Sequence, residues 1–170
     1  DLTVTAGDDI TDSDTVTVGR NLSATTDDNS GAINLGTLRV TGTIALDTHS
    51  GGAATVVDND GINFATSTVR GNLNARATAG DITDTGTLTV AGTSTFTVAD
   101  GENITLDSNG AFTGAVTFVP SAGTIASVTI NDSDGLDLQE LTTTGNLTVI
   151  AGGAITDSDT VTVGGDFSAT

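Results

Sequence analysis

The chain has 170 residues, of which 22 are acidic and only four, all arginine, are basic, so its formal net charge is −18 at pH 7. That charge argues against nucleic acid or an anionic membrane surface as a partner. The absence of cysteine excludes a disulfide framework and thiol chemistry. No apolar run approaches the roughly 20 residues that a membrane-spanning helix needs. Abundant threonine, valine and glycine predict β-strands joined by sharp corners.

Short apolar–polar–apolar triplets run along the whole chain. This period-two alternation predicts strands that bury one face, and no stretch shows a sustained helical period. In chain order, the predicted strands centre on Leu2–Val4, Val16–Val18, Leu22–Ala24, Leu38–Val40, Ile44–Leu46, Ile62–Phe64, Leu73–Ala75, Leu88–Val90, Phe96–Val98, Ile104–Leu106, Leu136–Leu138, Leu147–Val149 and Val161–Val163.

Glycine, aspartate and asparagine separate the predicted strands. Glycine supplies positive φ, and aspartate and asparagine tolerate it while bonding to their own backbone. The glycines that close a strand recur at fairly regular intervals, and they are Gly19, Gly42, Gly71, Gly92, Gly114, Gly145 and Gly164. Their mean spacing predicts turns of about 24 residues each.

The sequence also repeats itself on a longer scale. Residues 147–170 repeat residues 2–25 with 18 identities in 24 positions, and residues 71–92 form a looser copy midway. The underlying period is about 73 residues, and a fixed period indicates units that stack on their neighbours. We therefore predict one continuous segment over residues 1–170. Its units fall at 1–19 (the end of one unit), 20–92 and 93–165, and we expect it to be part of a longer chain.

These features together favour an all-β fold, a parallel β-helix (β-solenoid) of about seven coils. Seven coils at the strand spacing would form a rod about 34 Å long. We expect the phenylalanines to fill the wider parts of its interior, namely Phe64, Phe96, Phe112, Phe118 and Phe167. Tandem β-sandwich modules are the alternative, although hairpin turn signals are scarce.

The motif G-N-L-T-V-x-A-G-G-x-I-T-D-S-x-T-V-T-V-G-G spans residues 145–165. It resembles the repeats of filamentous-haemagglutinin-like adhesins, and it is similar to those of the giant β-strand-repeat surface proteins of bacteria. The resemblance implies a right-handed parallel β-helix in a secreted cell-surface adhesin or filament.

Pairs of aspartates spaced by two residues are the strongest candidates for a binding site. Two carboxylates at one turn could share Ca²⁺, which takes six to eight oxygen ligands. The candidate ligands are Asp58 and Asp60 in the segment DNDG, and Asp132 and Asp134 in DSDG. The alternative is that these aspartates form ordinary Asx turns. No cofactor other than Ca²⁺ is expected.

The acids recur with the fold and basic residues are few, so we do not expect an enzyme. We expect a structural segment of an extracellular filament or adhesin stalk, a stiff acidic rod at the cell surface. A calcium- or glycan-binding surface module on the same scaffold is the alternative. The expected partners are further copies, through self-association or end-to-end continuation into a filament, and cell-surface glycans or other cells. Neither nucleic acid binding nor membrane insertion is expected.

Overall fold

A computed structural model describes residues 1–170, and it contains 22 β-strands and no helix, hence none that could cross a membrane. The strands are β1 (Leu2–Ala6), β2 (Ile10–Thr11), β3 (Val16–Val18), β4 (Leu22–Thr26), β5 (Ile33–Val40), β6 (Ile44–Asp47), β7 (Ala54–Asp58), β8 (Ile62–Phe64), β9 (Ser67–Val69), β10 (Leu73–Ala77), β11 (Ile82–Asp84), β12 (Leu88–Val90), β13 (Ser94–Val98), β14 (Ile104–Phe112), β15 (Val116–Pro120), β16 (Val128–Asp132), β17 (Leu136–Leu138), β18 (Leu141–Thr143), β19 (Leu147–Ala151), β20 (Ile155–Asp157), β21 (Val161–Val163) and β22 (Phe167–Ala169).

The strands form two long parallel sheets, which we call wall 1 and wall 2. Wall 1 has the order β1-β4-β6-β8-β11-β14-β16-β19-β22, and β9 and β12 lie beside this path. Wall 2 has the order β2-β5-β7-β10-β13-β15-β17-β20, with β3 attached to β5. The short pair β18-β21 forms a separate small sheet that contacts wall 2 through β15.

Each strand pairs in parallel with the strand one turn further along the chain. Leu2 lies opposite Leu22, and Leu22 lies opposite Ile44, so side chains stack in columns along the axis. Seven such steps lead from β1 to β19, which gives about 21 residues per turn and about eight turns in all. The predicted β-solenoid is therefore confirmed, and tandem β-sandwich modules are excluded because every pairing is parallel.

The long sequence repeat corresponds to three and a half turns. Nine strands make one unit, so β1–β9 are equivalent to β10–β18, and β10–β13 are equivalent to β19–β22. Equivalent strands of successive units lie on opposite walls: β1 is in wall 1, β10 in wall 2 and β19 in wall 1 again. The two longest strands, β5 and β14, follow this rule, and both show a register shift against their neighbour. One repeat therefore rotates the pattern by half a turn around the axis.

The half-turn explains why the prediction of about seven coils is close to, but slightly below, the eight or so turns of the structure. The glycines used as turn markers lie at two different corners. Gly42 precedes a wall 1 strand, whereas Gly71 precedes a wall 2 strand, so the interval between them covers one and a half turns. The interval from Gly114 to Gly145 does the same. Counting each interval as one turn made the turns too long and gave seven coils instead of about eight.

One apolar column fills the space between the walls. It contains 36 buried residues, from Ile10 to Val149. Phe96 occupies its centre, with its ring centroid 6.5 Å from that of Phe64 and 6.0 Å from those of Phe112 and Phe118. The prediction that all five phenylalanines are internal fails for Phe167, which is 56% exposed because β22 has a neighbour on one side only.

Polar side chains at the corners bind the backbone of the following turn. An oxygen of Asp1, Asn21, Asn72 or Asn146 accepts the N–H of a residue 20 to 22 positions later, with donor–acceptor distances of 2.9 to 3.1 Å. These bonds satisfy N–H groups that the strand ladders leave free, and an unpaired backbone group is costly. They also fix the vertical alignment of successive corners.

Glycine occupies corners where successive turns approach most closely. Gly92 stacks on Gly71 of the preceding turn, and a Cβ atom on Gly92 would lie 2.7 Å from the carbonyl oxygen of Gly71. A Cβ atom on Gly19, by contrast, would have no heavy atom within 4 Å. Close approach of the backbone therefore requires glycine at the first position and not at the second.

We expect Gly92→Ala to lower the free energy of unfolding by about 1–3 kcal/mol, because the new methyl group overlaps the turn beneath. Gly19→Ala should change it by less than about 0.5 kcal/mol, as is usual for an open surface site. Urea denaturation followed by circular dichroism measures both. Equal effects of the two substitutions would contradict the close stacking at this corner.

We expect Phe96→Ala to cost about 3–5 kcal/mol, because it removes the ring that contacts three others and leaves a cavity. Thr97→Ala, at the neighbouring outward-facing position, should cost less than about 1 kcal/mol. The same denaturation experiment measures the difference. A small effect of Phe96→Ala would show that the interior is not a packed column.

Candidate functional site

The candidate calcium ligands lie where two equivalent strands end. Asp58 is the last residue of β7 in wall 2, and Asp132 is the last residue of β16 in wall 1. Both side chains point inward, with 0% and 1% of the residue exposed. Asp60 and Asp134 follow two residues later and are exposed. The structure therefore places the two candidate pairs on opposite walls.

Both buried carboxylates bind backbone N–H groups in nearly the same way. Asp58 accepts the N–H of Val40 through Oδ2 at 3.0 Å and that of Asp60 through Oδ1 at 2.9 Å. Asp132 uses Oδ1 for both equivalent donors, Phe112 at 3.2 Å and Asp134 at 3.1 Å. One bond closes an Asx turn and the other joins the neighbouring turn of the solenoid. The Oδ2 atom of Asp132 is buried without a partner.

Burial shifts the acidity of these groups. Desolvation raises the pKa of Asp58 and of Asp132 above the ordinary value of 3.8, although backbone hydrogen bonds partly oppose it. A nearby exposed carboxylate, from Asp60 in one case and Asp134 in the other, contributes to the rise. The negative charge on each buried carboxylate is therefore a cost to the folded state at neutral pH.

The geometry gives these aspartates a structural role whether or not they bind a metal. No group of three or more histidine, cysteine or acidic side chains is placed so that it could hold a metal ion. Two aspartates supply fewer oxygens than the six to eight that Ca²⁺ takes, so backbone carbonyls or water would have to complete the shell. Calcium binding at Asp58, Asp60, Asp132 and Asp134 remains a prediction.

A third buried carboxylate, Asp84, was not singled out from the sequence. Its Oδ1 accepts the N–H groups of Asp107 at 3.0 Å and Ser108 at 3.2 Å, and desolvation raises its pKa. The signal was available, because the tripeptide Ile-Thr-Asp recurs at 10–12, 82–84 and 155–157.

The first member of that set, Asp12, has the opposite pKa shift. Burial raises the pKa of Asp12, but hydrogen bonds from Gly36 and Thr37 outweigh that effect and lower it. Asp12 is only partly buried, whereas 8% of Asp84 is exposed. The same tripeptide therefore gives a solvated carboxylate in one unit and a buried one in the next.

The corner that carries Asp60 also forms an open polar groove. The groove has a volume of about 440 Å³ and spans three successive turns. It is lined mainly by polar groups, including Thr41, Thr43, Asp60, Asp81 and Thr83. A candidate calcium ligand, Asp60, and a second carboxylate, Asp81, therefore line the same groove.

The arginines are distributed unevenly. Arg70 forms the one ion pair of the structure, with Asp47 at 2.6 Å, and its guanidinium also donates to the carbonyl of Thr48. Arg20, Arg39 and Arg76 have no carboxylate within 4.0 Å. No arginine or lysine follows Arg76 in the sequence, so the second half of the rod carries only negative charge.

The family model of the DUF5649 repeats, described as repeats of unknown function, matches residues 51–119 and 125–170. The starts of the two matches, at 51 and 125, are one internal period apart. The matches cover well over half of the chain, which therefore belongs to this family. No curated protein and no solved structure matches the chain.

The two buried aspartates are expected to respond differently to loss of charge. Asp132→Asn keeps both hydrogen bonds through its single oxygen and removes a buried charge, so it should raise the free energy of unfolding at pH 7. Asp58→Asn must lose one of its two bonds and place an amide donor against a backbone donor. At pH 7 the Asp58 variant should be less stable than the Asp132 variant by about 1–3 kcal/mol.

The sign of the pH dependence follows from the raised pKa values. Between 3.8 and the raised value the folded state binds the proton more tightly, so each group's contribution to stability falls as pH rises and stays low above that value. The free energy of unfolding of Asp132→Asn should therefore exceed that of the unmodified protein most at neutral pH. This difference should disappear on acidification to about pH 4. Urea titrations at several pH values measure this, and a constant difference would refute it.

Proposed function

We propose that this member of the DUF5649 repeats is a structural segment of an extracellular filament or adhesin stalk, a stiff acidic rod at the cell surface. One observation carries the proposal: both walls run as ladders from the first turn to the last around a single apolar column. This arrangement makes the rod stiff along its axis, because each turn is hydrogen-bonded to the turns on either side.

The distribution of charge fits a rod that works among many others. The interior holds 36 apolar residues, and most of the 22 acids lie at the exposed corners. A net charge of −18 makes neighbouring rods repel one another and keeps them dispersed. The resemblance to filamentous-haemagglutinin-like repeats supports an extracellular site of action.

End-to-end association with further copies is part of the proposal. Residues 147–170 repeat residues 2–25, and the two segments are seven turns apart in register. The end of the rod formed by β20, β21 and β22 presents an apolar cavity of about 520 Å³, lined by Ile155, Val161, Val163 and Phe167 among others.

Electron diffraction or cryo-EM of fibres from the producing cells tests the rod. A meridional reflection at about 4.8 Å is expected from the strand spacing. Three and a half turns per repeat should add a layer line at about 17 Å, and the full seven-turn period should add one at about 34 Å. Fibres with a three-turn period of about 14 Å, or beads without axial reflections, would refute the half-turn rod.

Immunogold labelling with antibodies against this chain tests the location. Intact cells should be labelled along surface filaments, and labelling that appears only after permeabilisation would overturn the extracellular assignment. Thermal unfolding with Ca²⁺ and with a chelator tests the calcium alternative. A rise in melting temperature that Asp58→Asn and Asp132→Asn abolish would favour a calcium-binding module.

A further inference from the structure

The outward-facing positions of five consecutive wall 2 strands include no acidic residue. We call this surface the wall 2 face, and it consists of the outward-facing residues of β5, β7, β10, β13 and β15. These residues are Asn34, Gly36, Thr37, Arg39, Thr55, Val57, Asn74, Arg76, Thr95, Thr97, Thr117 and Val119. The carboxylate of Asp12, from the preceding turn, accepts the N–H and the hydroxyl of Thr37 on this face. In a chain with 22 acids, a face whose own residues include two arginines and no acid differs in charge from the rest of the surface.

The two arginines on this face are free to bind an anion. Both are exposed, and neither has a carboxylate within 4.0 Å. Arg76 lies between Val57 and Thr97 in the sheet register. The positive charge of Arg39 acts on the Asp58 carboxylate and partly opposes the rise in its pKa that burial causes. That carboxylate is buried and accepts two backbone N–H groups, and it forms no ion pair with Arg39. Register and strand spacing place the Cα atoms of Arg39 and Arg76 about 12 Å apart.

A ladder of neutral polar side chains runs beside the arginines. Five of them follow one another in register, one in each turn, at about 4.8 Å intervals: Asn34, Thr55, Asn74, Thr95 and Thr117. Amide and hydroxyl groups both donate and accept hydrogen bonds. The wall 2 face therefore offers a straight row of hydrogen-bonding groups with a positive charge at two points.

We propose that the wall 2 face binds a linear polysaccharide that carries carboxylate groups, such as a uronic-acid polymer. Arginine pairs with carboxylate through two parallel hydrogen bonds, and the polar ladder suits the hydroxyl groups of the sugar units. This activity adds to the mechanical role of the rod and does not depend on it.

The size and composition of the face favour a polysaccharide over other anionic partners. Its area of about 300 Å² is well below the roughly 800 Å² per partner of a stable protein interface. Its apolar side chains, Val57 and Val119, are half-buried, and it has no aromatic anchor. A nucleic acid duplex carries one negative charge per about 1.7 Å of its axis, and two arginines about 12 Å apart would neutralise few of these charges.

The half-turn repeat supplies a natural control on the opposite side of the rod. The equivalent face of wall 1, formed by β14, β16, β19 and β22, has Ala111 in place of Arg39 and Ile150 in place of Arg76. It also carries one carboxylate, Asp107. The two faces are built on equivalent strands, with one extra residue at the register shift of β14, and they differ in charge. The arginines can therefore be removed from one face and added to the other.

Isothermal titration of the whole chain with oligogalacturonate at about 0.15 M salt tests the proposal. The fully methyl-esterified oligomer is the matched ligand, because it keeps the sugar backbone and lacks the charge. One binding site for the acid form is expected, with affinity lowered about tenfold or more in the ester. The double variant Arg39→Gln/Arg76→Gln should lose affinity to a similar extent.

Two further variants separate the face from net charge. Arg20→Gln removes an exposed, unpaired arginine at a corner and should change affinity by less than about twofold. Ala111→Arg/Ile150→Arg places two arginines on the opposite face and should create a second site of about tenfold higher affinity than that face has unmodified. Circular dichroism of each variant verifies that it is folded.

Several outcomes would overturn the proposal. These are equal binding of acid and ester, no binding of either, or unchanged binding by Arg39→Gln/Arg76→Gln. If that variant instead changes the sedimentation of the protein alone, the face is a contact between copies of this chain. If it abolishes binding to phosphatidylserine vesicles while oligogalacturonate never binds, the partner is a lipid surface. The layer lines of the rod would be unaffected by any of these results.

Discussion

Parallel hydrogen bonding between successive turns is the constraint on which the rest of the structure depends. Each turn must retrace the path of the turn beneath it at about 4.8 Å, so a residue is constrained most by the residues about 20 positions before and after it. Corners are the hardest places to satisfy this, because the backbone bends there and leaves N–H groups outside the ladders. Glycine at positions such as Gly92, and side-chain acceptors such as Asn72, solve these two problems.

The same constraint allows the repeat and the turn to be out of step. A unit of three and a half turns places each strand type on both walls in alternation, which requires the two walls to be chemically interchangeable toward the interior. They are: Leu73 and Leu147 fill equivalent positions on opposite walls, and so do Ile82 and Ile155. Asp58 and Asp132 extend the equivalence to a buried charge and its hydrogen bonds.

Alternation, glycine spacing and internal repeats were sufficient to predict an all-β solenoid and most of its strands. The predicted number of turns was slightly low because a list of glycines does not reveal which corner each one occupies. The burial of the aspartates could not be predicted from the sequence for a related reason. In both DNDG and DSDG the first aspartate is buried and the second exposed, which depends on which residue ends the strand. Asp12 and Asp84 share a tripeptide but differ in burial. Asp12 follows β2, which has a neighbouring strand on one side only, whereas Asp84 ends β11, which lies between β8 and β14.

Equivalent positions of successive units show where this fold permits variation. Inward positions stay buried but vary in size from unit to unit: Ala24 corresponds to Phe96, and Leu22 corresponds to Ser94. Outward positions contact little, so Arg76 is replaced by Ile150 with the same pairing to the preceding turn. Arg39 is replaced by Ala111 beside a register shift that is one residue longer in β14 than in β5. Because one repeat is a half-turn, such replacements make the two sides of the rod chemically different. A scaffold whose outward residues vary while its ladders are kept can change what it binds without changing how it folds, so any recognition by this rod must lie in those outward residues.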